Sequence, residues 1–173
     1  METTGASDAD AGRSKRGRQL SPPAAERISA GCYGALVSAS TLMGLGDADL
    51  GAVVTLVVLT NLVYFAIHVF AYTIGDTDTT RTPLAVMTHH LAVSAPMISV
   101  TFAPVLCVSV LVLFGVTIKV AVLWGVGVAL AYLVSVATAG AALRGYSPLA
   151  IVGVAIVSAV GSAALLIAKI SLH

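Results

Sequence analysis

Residues 50–74 read LGAVVTLVVLTNLVYFAIHVFAYTI, 25 consecutive positions without a formal charge. As a helix rising 1.5 Å per residue this run is about 37 Å long, more than the roughly 30 Å hydrocarbon core of a bilayer. Four further runs flank it: Ile28–Leu45 before, and Leu84–Phe114, Val120–Leu143 and Leu149–Leu172 after. The first is short for a span unless its helix begins near Pro22. The third is over-long and holds Pro96 and Pro104, so a helix there kinks, tilts, opens with an interfacial turn or divides into two short segments.

The charges agree with this division. Only eight lie between Ile28 and Leu172, and they cluster at Asp47/Asp49, Asp76/Asp78/Arg81, Lys119, Arg144 and Lys169. With 58% hydrophobic residues, 10% charged and a mean hydropathy of +0.98, the chain lies outside the range of soluble globular domains. The expected fold is an all-α membrane protein of five transmembrane helices in a compact bundle. Residues 1–20 are expected to form a disordered cytoplasmic tail and residues 21–173 the transmembrane domain, with short loops and no room for a soluble domain.

Arg13, Lys15, Arg16, Arg18 and Arg27 crowd the tail and its junction with the first span, after Glu2, Asp8 and Asp10. A nucleic-acid-binding domain would need a larger folded basic surface, so no nucleic-acid partner is expected. Beside a span these residues act as a cytoplasmic anchor. With the N-terminus inside, seven Arg and Lys lie inside against Lys119 and Lys169 outside, which places the C-terminus outside. Ser21-Pro22, Thr82-Pro83 and Ser147-Pro148 each set a capping hydroxyl before a proline, and in this topology all three open odd-numbered helices at the cytoplasmic face. A signal peptide is not expected, because the first apolar run comes late and more spans follow it. The expected location is the cell (inner) membrane, multi-pass, with the lipid bilayer as partner.

Small residues recur every four positions at Gly127, Ala131, Ser135 and Ala139, at Ser158 and Ser162, and at Ala155, Ala159 and Ala163. Such stripes let helix backbones approach closely in lipid. Packing within the bundle is the first reading; a homo-oligomer or a partner membrane subunit is the second. The short loops make sequential helices antiparallel neighbours.

The second span carries Asn61, Tyr64, His68 and Tyr72 on one helical face. His68 lies about 9 Å inside one end of that span, and His89 and His90 lie at a similar depth on the next. With Tyr33 of the first span they make a candidate polar path or ligand cluster. A histidine can pass protons near neutral pH, but it can also stay neutral and bond a neighbouring tyrosine or serine. Histidines on two helices match the axial pair of a haem site in principle, but no further motif accompanies them, and no cofactor is expected. Glu26 is read as favoured by the helix dipole in the first turn, with a solute site as alternative. Asp76, Asp78 and nearby threonines read as a solvated turn rather than a cation contact. Cys32 and Cys107 read as small core residues, and no metal site is expected.

No nucleophile–base constellation, Walker loop, HExxH or Cys/His zinc spacing is present, so no enzymatic role is expected. The expectation is a polytopic membrane protein, either a transporter or channel-like protein for a proton, cation or small solute, or a non-transporting structural or accessory subunit.

Two resemblances accompany this reading. "ERISAGCYGAL", "FAIHVFAYTIG" and "ALLIAKISLH" resemble stretches of uncharacterised small integral membrane proteins of high-GC Gram-positive bacteria, which implies a five-helix inner-membrane protein without an assigned activity. "YGALVSASTLMGL" and "AALRGYSPLAIVG" more loosely resemble the vacuolar iron transporter family, also a five-helix fold. Where that family carries an aspartate before the first-helix run, this chain has Tyr33. Where it carries an acid before the second-helix tyrosine, Ala71 precedes Tyr72. Its glutamate-rich segment after the second helix is replaced by Gly75 to Thr82, so the resemblance implies the scaffold without the metal ligands.

Overall fold

A computed structural model describes residues 21–76 and 82–171. Five helices cover most of them: α1 Pro22–Met43, α2 Leu50–Gly75, α3 Pro83–Leu113, α4 Ile118–Leu143 and α5 Pro148–Ser171. Of these, α2, α3 and α4 are long and apolar enough to cross a membrane. The tail 1–20, Asp78, Arg81 and the side chain of Lys169 lie outside what is described.

Helix starts follow local chemistry. Asp49 Oδ1 accepts from the Ala52 amide at 2.9 Å, Thr82 Oγ1 from Ala85 at 3.4 Å and Ser147 Oγ from Ala150 at 3.3 Å. Ser21 departs from the expected hydroxyl cap. Pro23 has no amide to offer, and the Ala24 amide turns to the Ser21 carbonyl at 2.9 Å, so the side chain caps nothing. Because α1 begins at Pro22, Glu26 lies beyond the first turn, and the dipole role expected for it is not met. Two helix ends share one solution: Gly115 and Gly145 have positive φ, and the amides after them reach back to Leu111 and Ala141 in Schellman turns.

α3 runs as one helix through both internal prolines rather than as two segments. Its 31 residues span about 46 Å, more than a bilayer core needs. Pro96 and Pro104 each remove one backbone donor from the helix, and Ser99 Oγ donates to the Pro96 carbonyl at 3.1 Å.

The packing order corrects one expectation. Sequential pairs α2–α3, α3–α4 and α4–α5 do pack together, but α1 lies mainly against α3 and α4 and touches α2 less. The reason is its small face: Ala30, Gly31, Gly34, Ala35, Ser38 and Ala39 are all buried. At Gly34 the approach is so close that a β-carbon would overlap the Met97 backbone.

The stripe expected to knit the bundle does not do so. Gly127, Ala131, Ser135 and Ala139 are exposed on α4. Ala131 and Ser135 instead line an open groove of about 470 Å³ with Ala159, Ser162 and Ala163 of α5. Close packing through small residues is made instead by α1 and by another face of α4, where Ala121, Gly125 and Ala129 are buried.

The apolar core gathers toward one end, where Leu42, Val53, Val57, Val105, Val108, Ala121 and Val126 meet. Lipid is as apolar as these side chains, so their contribution there comes from close contact more than from escaping water. At the same end Lys119 Nζ lies 2.7 Å from Asp47 Oδ1, an exposed pair that marks the α1–α2 and α3–α4 turns as neighbours. The ionisable rings collect toward the opposite end.

Candidate functional site

Antiparallel α1 and α2 bring Tyr33 beside the face of α2 that carries Tyr64, His68 and Tyr72. Ring centroids of Tyr33 lie 6.0 Å from Tyr64, edge-on, and 6.2 Å from His68, stacked. His68 contacts Tyr72 at 4.6 Å, and Tyr72 contacts His90 of α3 at 5.7 Å. His90 Nε2 then lies 3.2 Å from Asp76 Oδ2 at the end of α2. Six side chains thus form one file: Tyr64, Tyr33, His68, Tyr72, His90 and Asp76. His89 joins only at its side, 5.4 Å from His90 and half-buried.

The file does not line an internal path. Tyr33, Tyr64 and Tyr72 are 42%, 42% and 45% exposed, so the rings look outward from the seam between α1 and α2. His68 is half-buried between them, and His90 is buried at the level of the second turn of α3. It borders an open cavity of about 470 Å³ lined also by Glu26, Ala71, Tyr72, Gly75 and Asp76.

Asn61 leaves the group altogether. Two turns along α2 from His68, it meets Ser38 of α1 instead of Tyr33, and the smaller residue admits it to the interior. Its Nδ2 donates to Ser38 Oγ at 3.1 Å and to the Val57 carbonyl at 2.9 Å. Ser38 Oγ donates to Thr101 Oγ1 at 3.5 Å, and Thr101 Oγ1 to the Met97 carbonyl at 3.4 Å. This buried chain pins α1, α2 and α3 together. Asn61 Oδ1 has no hydrogen-bond partner among the described residues.

Of the residues grouped by the sequence pattern, the structure brings Tyr33, Tyr64, His68, Tyr72 and His90 into contact with one another. It missed Ser38 and Thr101, and it read Asp76 as a solvated turn, whereas the carboxylate closes the α2–α3 junction on His90. Neither partnership carries a local signal, since each joins different helices.

Chemically, the file offers phenol hydroxyls and imidazoles as hydrogen-bonding groups, with carboxylates only at its Asp76 end. Among the described residues no three His, Cys, Asp or Glu side chains are arranged to hold a metal. The Tyr72 ring contacts both His68 and His90. No family model matches this chain, and neither the curated proteins nor the solved structures give a match.

Proposed function

We propose that this chain is a five-span protein of the cell membrane, N-terminus cytoplasmic and C-terminus outside, that acts as a non-transporting membrane subunit. Its work is association: the α1–α2 face of Tyr33, Tyr64, His68 and Tyr72 seats against protein within the bilayer.

One observation carries the reading. Tyr33, Tyr64 and Tyr72, which a transport path would turn inward, instead reach the outer surface with His68 half-buried among them, while the interior is filled by Leu42, Met97, Val53, Val57 and Val108, each under 2% exposed. Phenols and imidazoles at mid-helix are costly against lipid tails and favourable against a surface that bonds them. The seven-to-two division of Arg and Lys supports the orientation. The five-helix resemblances support the span count, and Tyr33 and Ala71 in place of acids speak against carrying over iron transport.

The test is flux and stability together. In proteoliposomes the wild-type chain is expected to pass protons and monovalent cations no faster than protein-free vesicles. His68→Gln is expected to leave that baseline unchanged while weakening assembly in the membrane. Flux above the baseline that His68→Gln abolishes would refute the reading.

A further inference from the structure

Resting on the reading of the α1–α2 face as protein-covered, we propose that its occupant is a second copy of this chain, related by a two-fold axis along the membrane normal.

The argument begins with unmet hydrogen bonds. Among the described residues, the hydroxyls of Tyr33 and Tyr64 and the ring nitrogens of His68 make ring contacts but no hydrogen bond. Tyr33 stands about 9 Å along α1 from Arg27, the last charge before the span, and contacts Tyr64, which stands about 16 Å along α2 from Gly75. A hydroxyl left unpaired at that depth costs a few kcal/mol, so whatever covers the face must bond it.

The face itself supplies both halves of the bond. Tyr33 carries an O–H donor, and neutral His68 beside it carries an acceptor nitrogen. A two-fold axis along the normal sets each residue opposite residues at its own depth. Tyr33 of one copy then meets His68 of the other, and the reciprocal bond forms by symmetry. A different protein would have to match this pattern; a second copy matches it by construction. Ile67, 60% exposed beside His68, supplies an apolar rim.

The rival face on α4 lacks the demand. Ser135 Oγ already donates to the Ala131 carbonyl at 2.7 Å, so lipid can cover that small-residue stripe with no bond unmet.

The experiment uses the full chain in native membranes, with Cys32→Ser and Cys107→Ser as background. Single cysteines are placed by Ile67→Cys on the proposed face and Ser135→Cys on the rival face, then oxidised, and adducts are identified by mass. Ile67→Cys is expected to give an adduct of twice the chain mass and Ser135→Cys none. Adding Tyr33→Phe with His68→Leu is expected to cut the adduct about tenfold, the effect of losing a hydrogen bond or two. Circular dichroism and thermal unfolding of that variant, expected to match the background, separate lost contact from lost fold. An adduct through Ser135→Cys alone, or one at Ile67→Cys indifferent to the double substitution in a folded protein, would overturn the proposal. An Ile67→Cys adduct with a different protein overturns the second copy and leaves the subunit reading standing; no adduct of any kind at that position counts against both.

Discussion

Gly34 of α1 lies against the backbone of Met97 on α3, with no space for a β-carbon between them. One turn further along each helix, the same crossing brings Ser38 and Thr101 to 3.5 Å, where Asn61 joins them from α2. A glycine contact and a three-residue polar chain therefore fix the same three helices. With α1 held inward by its small face, its Tyr33 edge is left at the outer seam with α2.

Gly34→Ala is expected to destabilise the protein by about 1–3 kcal/mol, because Met97 meets the new methyl with backbone rather than with a flexible side chain. Gly127→Ala serves as the control, since nothing lies within 4 Å of a β-carbon there. It is expected to be neutral or stabilising by up to about 1 kcal/mol through helix propensity. Thermal unfolding in one detergent compares the two; equal effects would contradict the close crossing.

Asn61→Ala is expected to cost about 1–3 kcal/mol, since it removes the link between α2 and Ser38 and leaves a small void. Tyr64→Phe, one turn away and exposed, is expected to change the unfolding midpoint little and to weaken association instead. Paired unfolding and cross-linking measurements on both variants check this separation of interior from surface.

The adjacent histidines are expected to differ. His90→Ala removes a buried ring bonded to Asp76 and is expected to cost about 1–3 kcal/mol, while His89→Ala is expected to cost under about 1 kcal/mol. Hydrogen exchange at the end of α2 reads the same contrast: Ile74 and Gly75 should lose protection in His90→Ala and keep it in His89→Ala.

The helices were legible because apolar runs bounded by charges and Ser/Thr-Pro pairs are local signals; α1 even declared its start at Pro22 through the shortness of its own run. The gathering of Tyr33, His68 and His90 followed from counting residues along antiparallel helices. Which way the group faces did not follow. Tyr64 and Asn61 share a face of α2, and only the residue α1 sets opposite each, Tyr33 or Ser38, sends one outward and the other in. The small-residue stripes misled for a related reason. Spacing shows that a face can be approached closely, but not whether a helix comes; at Gly34 one does, and at Ala131 the surface stays open. The run Gly31, Ala35, Ala39 was the available signal for α1.

The central claim is that protein covers the α1–α2 face within the bilayer. The direct measurement is the accessibility of a nitroxide to lipid-dissolved oxygen, with the label introduced by Ile67→Cys or, for comparison, by Leu123→Cys on α4, both exposed in the single chain. Cys32→Ser and Cys107→Ser remove competing thiols. In native membranes the label at 67 is expected to be several-fold less accessible than the label at 123, and Tyr33→Phe with His68→Leu is expected to bring the two together. Equal oxygen accessibility at both positions, in membranes where the protein is folded, would contradict the account.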